Sequence, residues 1–82
     1  MTPAEIRATV LRALARVAPE ADPTRLDPAR PVREQLDLDS IDFMRFLIAL
    51  HEQVDVDVPE SAYAQVASID GCVAYLASRL PS

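Results

Sequence analysis

The residues best suited to chemistry are grouped at Leu36-Asp37-Leu38-Asp39-Ser40-Ile41-Asp42-Phe43, where one serine hydroxyl stands among three aspartates. Elsewhere the chain offers a single histidine, His51, and a single cysteine, Cys72. A serine nucleophile needs a base within hydrogen-bond reach. On one helix Ser40 and His51 would lie about 16 Å apart at about 1.5 Å rise per residue, so they form no catalytic pair. His51 therefore reads as a surface residue that also helps partner contact. Asp37, Asp39 and Asp42 resemble a fragment of a calcium loop, but Ile41 and Asp42 break the ligand spacing and the required glycine is missing, so no dedicated metal site is expected. Asp37-Leu38-Asp39-Ser40 also echoes the aspartyl nucleophile motif of some phosphatases. That motif needs a hydrophobic strand before it and a large parallel sheet around it, and neither fits. A lone cysteine excludes an internal disulfide and a cysteine metal cluster. Cys72, on the edge of an apolar stripe, reads as a small buried hydrophobe.

Ser40 itself carries two readings. One is a plain first-turn residue of a helix. The other is an acceptor of a covalent group: a phosphodiester at this point would meet the unpaired N–H groups of the helix start and the positive end of its dipole. Asp39 can cap the helix and, with Asp37 and Asp42, show negative charge to a basic modifying enzyme. The local pattern leaves both readings open.

The elements that position this cluster are helical. Thr2-Pro3-Ala4-Glu5 supplies a cap, a proline at the first helical position and the glutamate of a capping box. Ile6, Val10, Ala13, Leu14 and Val17 follow at helical spacing, and Pro19 stops the helix. Residues 18–38 carry Pro19, Pro23, Pro28 and Pro31, a density that excludes a long helix. Leu26, Val32 and Leu36 are the anchors of that connection. A second helix is predicted from Asp39 or Ser40 to about Gln53. At about 100° per residue, Phe43, Phe46, Leu47, Leu50 and Val54 share one side and Ile41, Arg45, Ile48 and Glu52 the other, which predicts exposed isoleucines. Val54-Asp55-Val56-Asp57-Val58 alternates like a strand, but nothing strand-like is available to pair with it, so it reads as a connection dropping Val54 and Val58 into the core. Pro59-Glu60 opens a short helix to about Val66, with Tyr63 and Val66 inward. Ser68 caps a last helix, Ile69 to Leu80, with Ile69, Val73, Leu76 and Leu80 as its stripe and Pro81 closing it. The expected fold class is all-α: a single 1–82 domain of three main helices plus one short helix, with a long loop between the first two.

Composition narrows the function. The 82 residues are half hydrophobic, enough for one small core. Eight arginines without a lysine stand against thirteen acidic residues, a net charge of −5. That disfavours nucleic acid and favours basic protein partners. No apolar run reaches membrane-spanning length and no leader pattern is visible, so a cytoplasmic, soluble, monomeric protein is expected.

Leu36-Asp37-Leu38-Asp39-Ser40-Ile41-Asp42 resembles the Leu-Gly-x-Asp-Ser-Leu-Asp signature of acyl carrier proteins. The resemblance runs from about Val32 through the second helix, across Val58-Pro59-Glu60 to Ile69 through Leu76. It implies that Ser40, flanked by Asp39, is the attachment site of 4′-phosphopantetheine derived from coenzyme A. It implies a carrier, not an enzyme, which transports acyl or related groups as thioesters on the arm in fatty-acid, polyketide or specialised lipid synthesis. The implied partners are a phosphopantetheinyl transferase and acyl-loading, condensing or acyltransferase enzymes with basic docking patches. Ile41, Asp42, Ile48 and Glu52 match the family's recognition helix, and Arg45 lies on the same face. Phe46, Leu47, Leu50, Tyr63, Val66 and Leu76 lie where the family shelters an acyl chain. Asp37 replaces the signature glycine, and Arg45 and His51 replace acidic residues of the best-known fatty-acid carriers, which points to a dedicated pathway. The rival reading is an unmodified adaptor of the same fold, docking through Ile41 and Ile48.

Overall fold

The capping signal at the N-terminus is realised to the atom. In the computed structural model, which describes residues 1–80, Thr2 Oγ1 accepts from the Glu5 N–H at 3.2 Å, and Glu5 Oε1 accepts from the Thr2 N–H at 2.8 Å. Helix α1 then runs Pro3–Val17, and Ile6, Thr9, Val10, Ala13 and Leu14 form its buried side. Thr9 is a polar residue in this side, and its hydroxyl donates to the Glu5 carbonyl at 3.0 Å.

The connection of residues 18–38 is more structured than its prolines suggest. A 3-10 turn, Pro23–Arg25, is capped by Asp22, and a short helix α2, Val32–Leu36, occupies its proline-free end. The prolines forbid only a long helix, because Pro31 sits at the N-cap, where its fixed φ and missing N–H do no harm. The Gln35 amide stitches the segment together: its oxygen accepts from the Asp27 N–H at 2.7 Å, and its nitrogen donates to the Asp27 and Arg30 carbonyls at 2.9 and 3.0 Å. Val32 is fully buried, with Leu26 and Leu36 packed beside it. The radius of gyration, 11.4 Å, is that of a compact chain, so the connection lies against the body.

Helix α3, Ser40–Val54, buries Phe43, Phe46, Leu47, Ala49 and Leu50. Each such large side chain stabilises the fold by about 1.5–3 kcal/mol on leaving water. Ile41 and Ile48 stay outside at 63% and 54% exposure, as the helical wheel predicts. The alternating segment after α3 forms no strand; Val54, Val56 and Val58 are half-buried against the core. Among the described residues the only sheet-like pairing is an isolated bridge between Pro31 and Ser68.

Two expectations are corrected. The predicted helix from Pro59 to Val66 is a single 3-10 turn, Glu60–Ala62, followed by turns. The Ala62 carbonyl accepts from both Gln65 and Val66, and the chain leaves the helical path there to bring the Ala67 carbonyl to the Val32 N–H at 2.9 Å. The last helix, α4, spans Ile69–Arg79, and its buried residues are Ile69, Cys72, Tyr75 and Leu76. Val73 and Leu80 are only half-buried, so the buried side is rotated toward Cys72, whose thiol donates to the Val66 carbonyl at 3.2 Å. Pro81, expected to close this helix, lies outside the described residues.

α1 packs against both α3 and α4. Arg16–Glu52 at 2.9 Å and Arg12–Gln53 at 3.4 Å tie it to the end of α3, and Arg7–Asp70 at 3.4 Å ties it to the start of α4. The single glycine, Gly71, permits a close approach of α4 to the Gln65 carbonyl. A Cβ there would collide with the Gln65 carbonyl oxygen and stand 3.1 Å from Ser68 Oγ. Inside an ordinary helix Gly→Ala gains about 1 kcal/mol. Gly71→Ala is expected to reverse that sign and lose about 1–3 kcal/mol from overpacking. Urea unfolding of the two proteins checks it, and a higher midpoint for the variant would contradict the contact.

Candidate functional site

The start of α3 is built without help from Ser40. Asp39 is the N-cap: its Oδ1 accepts from the Asp42 N–H at 2.8 Å, and Asp42 Oδ2 reaches back to the Asp39 N–H at 3.4 Å. This reciprocal pair satisfies the helix start. Ser40 is the first helical residue, is exposed, and its hydroxyl has no hydrogen-bond partner among the described residues. Asp39 is the cap as expected, Ser40 sits in the first turn, and its hydroxyl is left available.

The turn leading into this cap carries the signature's substitution. Asp37 ends α2 at φ 53°, ψ 45°, in the left-handed region. Aspartate is one of the few side chains that enter that region readily. Asp37 thus adopts a backbone conformation that glycine takes without strain, and its N–H donates to the Arg33 carbonyl. The Asp39 and Asp42 carboxylates are engaged in the cap. No group of three or more His, Cys, Asp or Glu among the described residues is placed to hold a metal ion.

Below Ser40 a groove of about 210 Å³ runs along α3, lined by Met44, Leu47, Ile48, His51, Asp57, Val58 and Tyr63. At about 100° per residue Ser40, Met44, Leu47 and His51 lie within about 40° of one line on the helix, so the groove begins about one turn below the serine on the same side. Tyr63 closes its wall by donating to Met44 Sδ at 3.3 Å. His51 sits at the far end with Nδ1 3.3 Å from Asp57 Oδ1. Met44 and the His51–Asp57 pair are groove residues that sequence reasoning missed, although the spacing from Ser40 carried the signal.

Of the six residues expected to shelter an acyl chain, Leu47 and Tyr63 line this groove. Phe46, Leu50, Val66 and Leu76 are sealed in the core at 0–1% exposure. Phe43 joins the two sets, its ring centroid 6.1 Å from Tyr63 and 6.0 Å from Phe46. Of the expected recognition residues, Arg45, Ile48 and Glu52 meet around a second groove of about 240 Å³, completed by Arg16, Val17 and Ala49. Glu52 is paired there with Arg16. Ile41 and Asp42 lie outside that groove, toward the N-terminal end of α3, with the Asp42 carboxylate turned back onto the cap.

Residues 8–76 match the family model described as the phosphopantetheine attachment site. The chain belongs to the family of domains that carry a phosphopantetheine attachment site. Phosphopantetheine is the prosthetic group of that family. A curated relative, acyl carrier protein 2, mitochondrial, of Arabidopsis thaliana, is 30% identical over 59 residues. The match covers 72% of this chain and 47% of that protein, so the chain spans about half the length of that relative. The fold is similar to the solution structure of a protein assigned as an acyl carrier protein from Anaplasma phagocytophilum, with a TM-score of 0.85, 20% identity, and coverage of 100% and 96% of the two chains. Among the described residues no helix is long and apolar enough to cross a membrane. An exposed, unpartnered hydroxyl at the head of an open groove suits a prosthetic group attached through an oxygen.

The competing nucleophile is withdrawn. Cys72 is 1% exposed, and burial pushes its thiol up from the usual value near 9 to about 12. The native state thus holds a proton that the unfolded chain releases above about pH 9. Stability is full below that value and is lost as pH rises toward 12, at up to about 1.4 kcal/mol per unit. The expected result is a steeper alkaline loss of stability in wild type than in Cys72→Ala, which removes the titrating group. Parallel pH–stability curves for the two proteins between pH 9 and 11 would rule this out.

Proposed function

We propose that Ser40 is the attachment point of the 4′-phosphopantetheine arm and that the protein is a monomeric carrier of acyl or related intermediates in fatty-acid, polyketide or specialised lipid synthesis. One observation carries the assignment. The serine of the signature is exposed and free of structural duty, because Asp39 and Asp42 cap the helix between themselves. The Ser40 oxygen forms a bond to the phosphorus that bears the pantetheine, the diphosphate bond of coenzyme A breaks, and adenosine 3′,5′-bisphosphate leaves. The hydroxyl proton goes to a base on the transferase, since His51 is held near Asp57 at the other end of the helix. The bound arm supplies a terminal thiol that holds cargo as a thioester.

The groove below Ser40 leads toward the residues expected to shelter the cargo, with Leu47 and Tyr63 on its wall. The outward side of α3 serves docking: Ile41 and Ile48 are exposed apolar contacts, and Arg45 beside them is a cation that a uniformly basic partner patch would repel. That mixed charge supports a dedicated pathway over general fatty-acid synthesis. The cytoplasm is the compartment read from the sequence, beside a curated relative whose own name places it in mitochondria.

Incubation with a phosphopantetheinyl transferase and coenzyme A is expected to add one phosphopantetheinyl group to the intact mass of wild type and none to Ser40→Ala. Ile48→Arg should still accept the arm, with loading efficiency reduced about tenfold or more through the lost docking contact. The exposed isoleucines also support the adaptor reading. Full cellular function of Ser40→Ala, together with loss in Ile48→Arg, would put the adaptor in place of the carrier.

A further inference from the structure

We propose that Arg33 holds the phosphodiester of the arm, a role that rests on the assignment of Ser40. The segment around the serine is crowded with negative charge: Glu34, Asp37, Asp39 and Asp42 lie between residues 31 and 44, and Arg33 is the one cation there. A phosphodiester on Ser40 adds a further negative charge to this set. At the start of α3 the Asp39 carboxylate already takes the Asp42 N–H, so the phosphodiester would share that helix end with a negative charge.

Arg33 is placed to meet that charge. Its side chain folds back over the turn into α3: Nε donates to the Leu38 carbonyl at 3.4 Å, while the Leu38 N–H donates to the Arg33 carbonyl at 3.1 Å. Its guanidinium carbon stands 5.8 Å from the centroid of the Phe43 ring. Leu38 is two residues before Ser40 and Phe43 three after it, so the guanidinium rests on the turn of chain that carries the serine. Phe43 takes the face of the group and the Leu38 carbonyl its Nε. The two terminal nitrogens have no acceptor among the described residues, and no carboxylate there pairs with Arg33. A planar fork with free N–H groups matches the two non-bridging oxygens of a phosphodiester better than an ammonium does.

The test compares empty and loaded protein at low ionic strength, with intact mass confirming the loading. The Arg33 Nε–Hε resonance of ¹⁵N-labelled wild type is expected to move on loading. Loading is also expected to raise Tm by about 2–6 °C more in wild type than in Arg33→Met, with Arg33→Lys between them. Comparing loaded with empty protein within each variant cancels the loss of stacking on Phe43. The resonance needs no variant, so it decides the question even if Arg33→Met does not fold. A wild type that gains no mass overturns the Ser40 assignment and this role with it. Normal mass gain with an unmoved resonance and equal Tm shifts overturns the role of Arg33 alone.

Discussion

The molecule is organised by the two-sidedness of α3. One side inserts Phe43, Phe46, Leu47, Ala49 and Leu50 into the core, and α1 packs against it. Rotation of the helix by even one residue, about 100°, would bring buried aromatics to the surface and isoleucines inward. The Arg16–Glu52 and Arg12–Gln53 contacts fix the far end of the same helix against α1. Because the core settles the rotation of α3, it also settles where Ser40, the groove beneath it and the outward isoleucines face.

Much of this was legible because it depends on short-range rules. The capping box at Thr2 and Glu5 and the apolar spacing of α1 and α3 need only neighbouring residues to specify them. What escaped was decided by distant contacts. α2 forms where a proline-free stretch docks its Val32 N–H on the Ala67 carbonyl, a partner thirty-five residues away. The same contact helps pull the Pro59–Val66 segment off a helical course. The buried side of α4 is rotated because Cys72 reaches the Val66 carbonyl, which no helical wheel contains. At the site, the exposed isoleucines follow from periodicity and the candidate Ser40 from the resemblance of its surrounding residues, whereas the place of Arg33 on Phe43 depends on a turn whose path follows from the left-handed Asp37.

Charge is distributed by task. Three of the arginines, Arg7, Arg12 and Arg16, lie along α1 and join it to its neighbours. Such exposed pairs contribute little each, about 0–1 kcal/mol, but they select one packing over its alternatives. The acids gather instead at the mouth of the site. The segment around Ser40 is thus acidic, while Arg45 interrupts the charge on the outward side of α3.

The capping of α3 by Asp39 and Asp42 has a wider consequence. Since no hydrogen bond among the described residues passes through the Ser40 oxygen, a group placed there would leave the capping contacts of α3 intact. The helix can be decorated at its first residue without being unwound.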